Sequence, residues 1–264
     1  MTTLLKVLQN PLLKIFLSPI SVIAIGAITG LNNTNSPKWL SIVYLALIAI
    51  SSQLIDHFFH QKQIRRNPNA TPELILFISE VVLIGAGILF ALSNHWILNV
   101  LLAFYLLYIH IQYKPFVMVN TFYQFILTVF FNGFVLNCVA YYSQTATITT
   151  KYITLLVPFV LLVIGITIES MHLKYSFIRR KPQPVLYHWT AIALAFAALP
   201  IAFYLALPSK SYYLVQLVFV VFNGFIMLPL LVSVNNEKRL QNKLNYLNAV
   251  LLLFSLFYAL ALVF

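Results

Sequence analysis

The sequence predicts an all-α fold: a polytopic bundle of about nine transmembrane helices that fills the whole chain. Three observations predict it. The 264 residues are 61% hydrophobic and only 8% charged, with a mean hydropathy of +0.92, outside the range of a water-soluble domain. Apolar runs of about 18 or more residues recur from end to end, each long enough to cross the ~30 Å hydrocarbon layer as a helix. Backbone groups in lipid must be satisfied within their own segment, and the alternating ~10-residue pattern of a membrane β-barrel does not occur.

The spans follow in order. The first run, 13–30, ends at Asn32-Asn33-Thr34-Asn35-Ser36-Pro37. The second, 39–60, opens on Trp39 and closes on Asp56, His57 and His60, before the break Asn67-Pro68-Asn69. The third, 72–93, carries Glu80 about two turns from its start. The fourth, 96–113, is parted from the fifth, 116–142, only by Lys114-Pro115, a tight turn because the residue before proline is held out of the helical region. The sixth, 152–176, closes on Glu169 and His172, and Pro182-Gln183-Pro184 separates it from the seventh, 187–207. After Pro208-Ser209-Lys210 come the eighth, 211–233, and the ninth, 244–263. Nothing reads as a linker to a soluble domain, so residues 1–264 form a single integral membrane domain.

Charge placement supports this count independently. With nine spans, thirteen of the sixteen Lys and Arg residues fall on one side, and only Lys38, Lys151 and Lys210 on the other. The positive-inside rule then puts the N-terminus in the cytoplasm and the C-terminus outside. Trp39 and Trp96 sit at the outer interface and Trp189 at the inner one. The net charge of +11 sets topology and attracts anionic headgroups, which leaves no case for nucleic-acid binding. In a bacterium the location is the inner or plasma membrane. Cys138 is alone, which excludes an intramolecular disulfide and a multi-cysteine metal site. No small-residue cleavage site follows the first apolar run, so it reads as a helix rather than a signal peptide. The sequence carries no signal for an oligomeric state.

The polar content of the spans is the informative remainder. One element occurs twice: Asp56-His57-Phe58-Phe59-His60 leads to Ile64-Arg65-Arg66-Asn67-Pro68, and Glu169-Ser170-Met171-His172 leads to Ile178-Arg179-Arg180-Lys181-Pro182. Each copy ends an apolar span with an acid and a histidine, then two arginines and a proline. This predicts two parallel pseudo-repeats facing one site. Ser52, Gln53, Asp56 and His60 share a helical face through offsets of three and four, as do Glu169 and His172. Ionisable groups at such depth need interior partners, and Asp56, Glu80 and Glu169 all lie toward the cytoplasmic half. The plainer reading pairs each acid with a loop arginine or keeps it protonated between helices. His57 and His188 read as interfacial, and Tyr123, Phe130 and Phe131 as packing.

The layout and these residues resemble the UbiA superfamily of intramembrane prenyltransferases, in which carboxylate-rich motifs at the ends of the second and sixth helices hold Mg²⁺ and a prenyl diphosphate. The first family motif, N-D-x-x-D-x-x-x-D, corresponds here to Ser52-Gln53-x-x-Asp56-x-x-x-His60, with one carboxylate of three. The second, of D-x-x-x-D type, corresponds only to Glu169 and His172, three residues apart. Tyr108 and Lys114 resemble a family turn in which a basic residue follows a tyrosine and assists the diphosphate. The resemblance implies Mg²⁺ held between Asp56 and Glu169, the two catalytic carboxylates, with His60 and His172 in the third and fourth metal-ligand positions. His60 suits Mg²⁺ poorly, since imidazole prefers softer ions. It also implies that Ser52, Gln53, Lys62, Arg65, Arg66, Lys114, Arg179 and Arg180 bind the substrate, the basic ones through charge-assisted contacts to phosphate oxygens.

Three readings follow. The leading one is a UbiA-like protein that binds a polyprenyl diphosphate and transfers the prenyl group to a lipophilic acceptor. The second keeps the fold and drops the chemistry, leaving a lipid- or isoprenoid-binding membrane protein or scaffold. The third, a transporter, rests on the intramembrane acids and the repeat, although transporter sites usually lie near the midplane.

Overall fold

A computed structural model of the chain describes residues 16, 18–64, 73–114, 116–179, 185–207, 213–232, 234 and 237–264, with the backbone alone at 63, 64, 176–179, 237 and 238. Every regular element among the described residues is helical. Helix α1 (Ser18–Asn32) opens on a 3₁₀ turn over Ser18–Ile20. Helix α2 (Trp39–Phe59) runs into a π turn over His60–Ile64. Next come α3 (Glu73–Ser93), α4 (Trp96–Ile111) and α5 (Phe122–Thr145), the last with a π segment over Val129–Val135. Helices α6 (Thr150–Arg179), α7 (Val185–Ala206), α8 (Tyr213–Met227) and α9 (Glu237–Val263) complete the chain.

Among the described residues seven helices are long and apolar enough to cross a membrane, as in an integral multi-pass protein: α2, α3, α5, α6, α7, α8 with its 3₁₀ extension to Leu231, and α9. The expected count of nine reduces to these seven plus two shorter apolar helices, α1 and α4. The reason in α4 is local. His95 caps its start, its ring nitrogen accepting from the Ile97 amide at 3.4 Å. At the other end the helix stops at Ile111, with Gln112 as its C-cap, so it has 16 residues. At 1.5 Å per residue these rise about 24 Å, short of a ~30 Å hydrocarbon layer. Pro158 and Pro200 both lie inside helices, α6 and α7, where each removes one backbone bond without ending the element.

Two apolar cores meet at a seam. One joins faces of α1 to α5, the other joins α6 to α9, and α1 and α5 contribute to both. The seam is tight because Gly26 lets two backbones touch. Its amide donates to Asn137 Oδ1 at 3.0 Å, and a Cβ there would stand 2.0 Å from the Asn137 carbonyl oxygen. Gly165 plays the same part between α6 and α7, where a Cβ would meet the Ala191 carbonyl oxygen at 2.7 Å. Small residues at helix contacts are the usual means of close approach where lipid offers no hydrophobic drive. On the outside, Phe77, Val81, Ile84 and Ile88 of α3 are exposed at helical spacing, as a lipid-facing stripe must be.

Candidate functional site

A polar cavity of about 190 Å³ lies between α1, α2, α4, α5, α6 and α9. A second chamber of about 140 Å³ adjoins it, and the two share Gln53, Asp56, Ser170, Lys174 and Asn248 as walls. Each helix supplies one stripe. Helix α2 gives Ala49, Ser52, Gln53 and Asp56, with His57 and His60 at the outer chamber. Helix α4 gives Tyr105, Tyr108, Ile109 and then Gln112 just past its end. Helix α6 gives Val163, Ile166, Thr167, Ser170, Met171 and Lys174. Offsets of three, four and seven put these side chains on one face of their helix. On α5 the stripe Gln124, Thr128 and Asn132 enters the π segment, where the wider turn carries Asn132 at its centre. Such π turns recur at functional sites because they change the aim of one side chain without ending the helix.

Asp56 is the only carboxylate on these walls among the described residues, and it is held by neutral donors. Its Oδ1 accepts from Gln112 Nε2 at 2.7 Å and from the Tyr113 phenol at 2.8 Å, and the same phenol lies 3.1 Å from the Asp56 backbone carbonyl oxygen. Gln112 is fixed in turn by Gln124 Nε2, 3.4 Å from its Oε1, and Gln124 Oε1 accepts from the Asn120 amide at 2.7 Å. Asn120 takes φ 61°, a left-handed conformation that Asn tolerates better than most residues. This chain of bonds ties the turn after α4 to the end of α2 and orients the carboxylate. Among the described residues Oδ2 accepts no hydrogen bond. The buried Ser52 hydroxyl lies beside the Tyr105 phenol and makes no hydrogen bond of good geometry.

Glu169 lies elsewhere. It is 3% exposed and lines neither chamber. Its Oε1 accepts from Lys243 Nζ at 2.7 Å, and His188 Nδ1 lies 3.0 and 2.9 Å from its two oxygens. Lys243 also donates to the carbonyls of Leu230 and Val232 at 3.1 and 2.8 Å. Both carboxylate oxygens are thus committed to a buried pair linking α6, α7 and α9. The expected joint Mg²⁺ site does not fit this donor set: Asp56 presents one oxygen to the cavity, and Glu169 presents none. Mg²⁺ commonly takes one or two carboxylates plus water or phosphate oxygens, but among the described residues no second carboxylate stands opposite the first. Among the described residues no group of three His, Cys, Asp or Glu side chains is placed to hold a metal ion.

The other expected site residues divide. Ser52, Gln53 and Tyr108 line the inner cavity and His60 the outer chamber. His172 instead faces His188, with ring centroids 6.4 Å apart. Lys62 pairs at the surface with Glu73 at 3.6 Å, and Lys114 is exposed at its turn, so neither is among the chamber walls. Glu80 bonds His110 at 3.2 Å between α3 and α4. Arg65, Arg66 and Arg180 lie outside the described residues, and of Arg179 only the backbone is described. His188 is buried against Glu169, and Lys243, one of the thirteen basic residues counted to one side, is 6% exposed. Sequence reasoning also passed over Gln112, Tyr113, Gln124, Asn132, Lys174 and Asn248. Their spacing within each helix was the signal that could have found them. Compared with protein-family models, curated proteins and solved structures, the chain matches none.

Proposed function

We propose that this chain is a UbiA-like membrane protein that binds an isoprenoid lipid, seating the polar head in the cavity at Asp56 and leaving the apolar tail among the helices. The observation that carries this reading is the cavity itself: a polar chamber with the Asp56 carboxylate on its wall, set among apolar helices of which α2, α5, α6 and α9 are long enough to cross a membrane. Pockets that bury most of a ligand while a few fixed polar groups orient it are the usual form of a small-molecule site. On the orientation that nine spans would give, with the N-terminus in the cytoplasm, the outer chamber beside His57, His60 and Lys174 is the cytoplasmic entrance. The test is saturable binding of a farnesyl-chain probe to detergent-purified protein, with Asn132→Leu, which replaces a wall amide by an apolar side chain, weakening it. Binding that Asn132→Leu leaves unchanged would place the ligand elsewhere.

A second reading, prenyl transfer, is favoured by the position of Asp56 and Tyr108 on one cavity wall, where the resemblance expects the first motif and the tyrosine turn. Transfer breaks the allylic C–O bond, joins that carbon to the lipophilic acceptor, which gives up a proton, and releases diphosphate, whose developing charge needs neutralising. Lys174 is the one described wall cation. Turnover of farnesyl diphosphate by the membranes, abolished in Asp56→Ala, would establish transfer. No turnover with binding retained leaves the first reading alone.

A further inference from the structure

We propose that the cavity recognises an uncharged, polyhydroxylated head group, such as a single sugar ring, rather than a phosphate. The inference rests on the reading of the cavity as a lipid-head site, and it departs from the diphosphate that the resemblance implies. Charge balance is the first ground. Of the described side chains on both chambers, Asp56 is the one acid and Lys174 the one lysine or arginine, with His57 and His60 at the outer chamber. A diphosphate brings several negative charges into a wall that already holds a carboxylate, and like charges this close repel strongly where water is scarce. Uncharged hydroxyls meet no such penalty.

The second ground is the kind of polar group present. Gln53, Gln112, Asn120, Gln124, Asn132 and Asn248 surround the inner chamber. A carboxamide offers donor and acceptor together, which matches a hydroxyl, itself both donor and acceptor. A phosphate offers only acceptors at neutral pH and so can pair with the amide N–H groups but not with the amide oxygens, of which those of Gln112, Gln124 and Asn248 already accept from Gln124, the Asn120 amide and Ser18. The Oδ2 of Asp56, which no described residue bonds, is a strong acceptor for a hydroxyl and a repulsive neighbour for an anion. Its orientation is already fixed by Gln112 and Tyr113 through Oδ1, so the site is built before a ligand arrives.

Size is the third ground. An engineered cavity of about 150 Å³ holds benzene, so about 190 Å³ has room for one six-membered ring bearing substituents. Tyr105 and Tyr108 add aromatic walls, and Tyr108 is braced by stacking on Phe131, centroids 5.3 Å apart at 17°, and by its 2.7 Å bond to Thr128.

The experiment measures binding to the unmutated full-length protein in detergent, in EDTA and again in Mg²⁺. Its probes are farnesol, farnesyl β-glucoside, farnesyl diphosphate and monoglucosyl diacylglycerol. The expected result is saturable, metal-independent binding of farnesyl β-glucoside, at least tenfold tighter than farnesol. Farnesyl diphosphate should bind no tighter than farnesol. Asp56→Ala should remove the glucoside's advantage by a factor of roughly ten or more, the scale of a hydrogen bond to a charged group. Because the ranking is read on the unmutated chain, a misfolded Asp56→Ala would not spoil it, and Asn132→Leu serves as the second variant. Farnesyl diphosphate binding tighter than the glucoside, with or without Mg²⁺, overturns the inference and leaves the isoprenoid reading standing. Binding of monoglucosyl diacylglycerol with no farnesyl probe bound supports the head group and overturns the isoprenoid tail. No saturable binding by any probe overturns both.

Discussion

Glu169 is where a catalytic and a structural account of this protein diverge most sharply. In the metal-site account Glu169→Gln abolishes turnover and leaves the fold intact. The geometry predicts the reverse. Glu169 and Lys243 are 2.7 Å apart at 4% and 6% side-chain exposure, so neither charge has water to fall back on. Substituting Glu169→Gln leaves the ammonium with neutral acceptors alone, the Leu230 and Val232 carbonyls and the new amide oxygen, a buried charge without its counter-ion. Breaking a buried pair from one side costs about 3–5 kcal/mol. With about 2–4 °C per kcal/mol for a chain of roughly this size, the melting temperature should fall by roughly 6–20 °C. Lys243→Met should cost a similar amount, since it strands the carboxylate beside His188. The double variant Glu169→Gln, Lys243→Met removes both charges and should recover at least half of the loss, because replacing a whole buried pair is often close to neutral. Thermal unfolding followed by size-exclusion recovery in detergent reads all four proteins as one thermodynamic cycle. Additive losses, or a Glu169→Gln protein as stable as the unmutated one, would refute the buried-pair account. A stable Glu169→Gln protein that had lost ligand binding would restore the carboxylate to the cavity.

The packing makes its own demands. Gly165→Ala should destabilise by about 1–3 kcal/mol through overpacking, because its Cβ would meet the Ala191 backbone oxygen at 2.7 Å, and Gly26→Ala should cost more, since Asn137 O lies at 2.0 Å; by contrast Gly85→Ala, with open space around it, should be tolerated. The same thermal assay ranks the three, and equal tolerance at all of them would contradict the helix spacing. Tyr113→Phe removes one of the two donors to Asp56 Oδ1, a loss of about 1.5–3 kcal/mol for a bond to a charged group. It should lower both stability and ligand affinity, whereas the surface change Lys62→Ala should alter neither, its partner Glu73 being 90% exposed. Affinity unaffected by Tyr113→Phe would separate Asp56 from the ligand.

Part of the site was legible in residue spacing. Ser52, Gln53 and Asp56 share a face by offsets of one, three and four, and that face does line the cavity. The repeated acid misled for a reason that periodicity contains. One residue along a helix is a rotation of about 100°, so Ser170 and Lys174 of α6 face the cavity while Glu169, one position earlier, turns to α7 and α9. Spacing says which residues share a face, and nothing about which neighbour that face meets. Likewise Lys243, an ordinary end-of-span cation in sequence, gains a buried counter-ion because α9 begins at Glu237, earlier than its apolar run.

Composition and run length alone determined that this chain is helical and built for a membrane, because the cost of an unpaired backbone in lipid leaves a long apolar segment no other form. Local spacing determined the polar stripes on individual helices. Only the tertiary structure decided which stripes meet: α2, α4, α5, α6 and α9 turn theirs toward one cavity, while Glu169 turns to Lys243 and His188. That choice depends on the rotation of each helix against its neighbours, set by close contacts such as those at Gly26 and Gly165. Such contacts join residues far apart in the chain, and no local pattern of sequence encodes them.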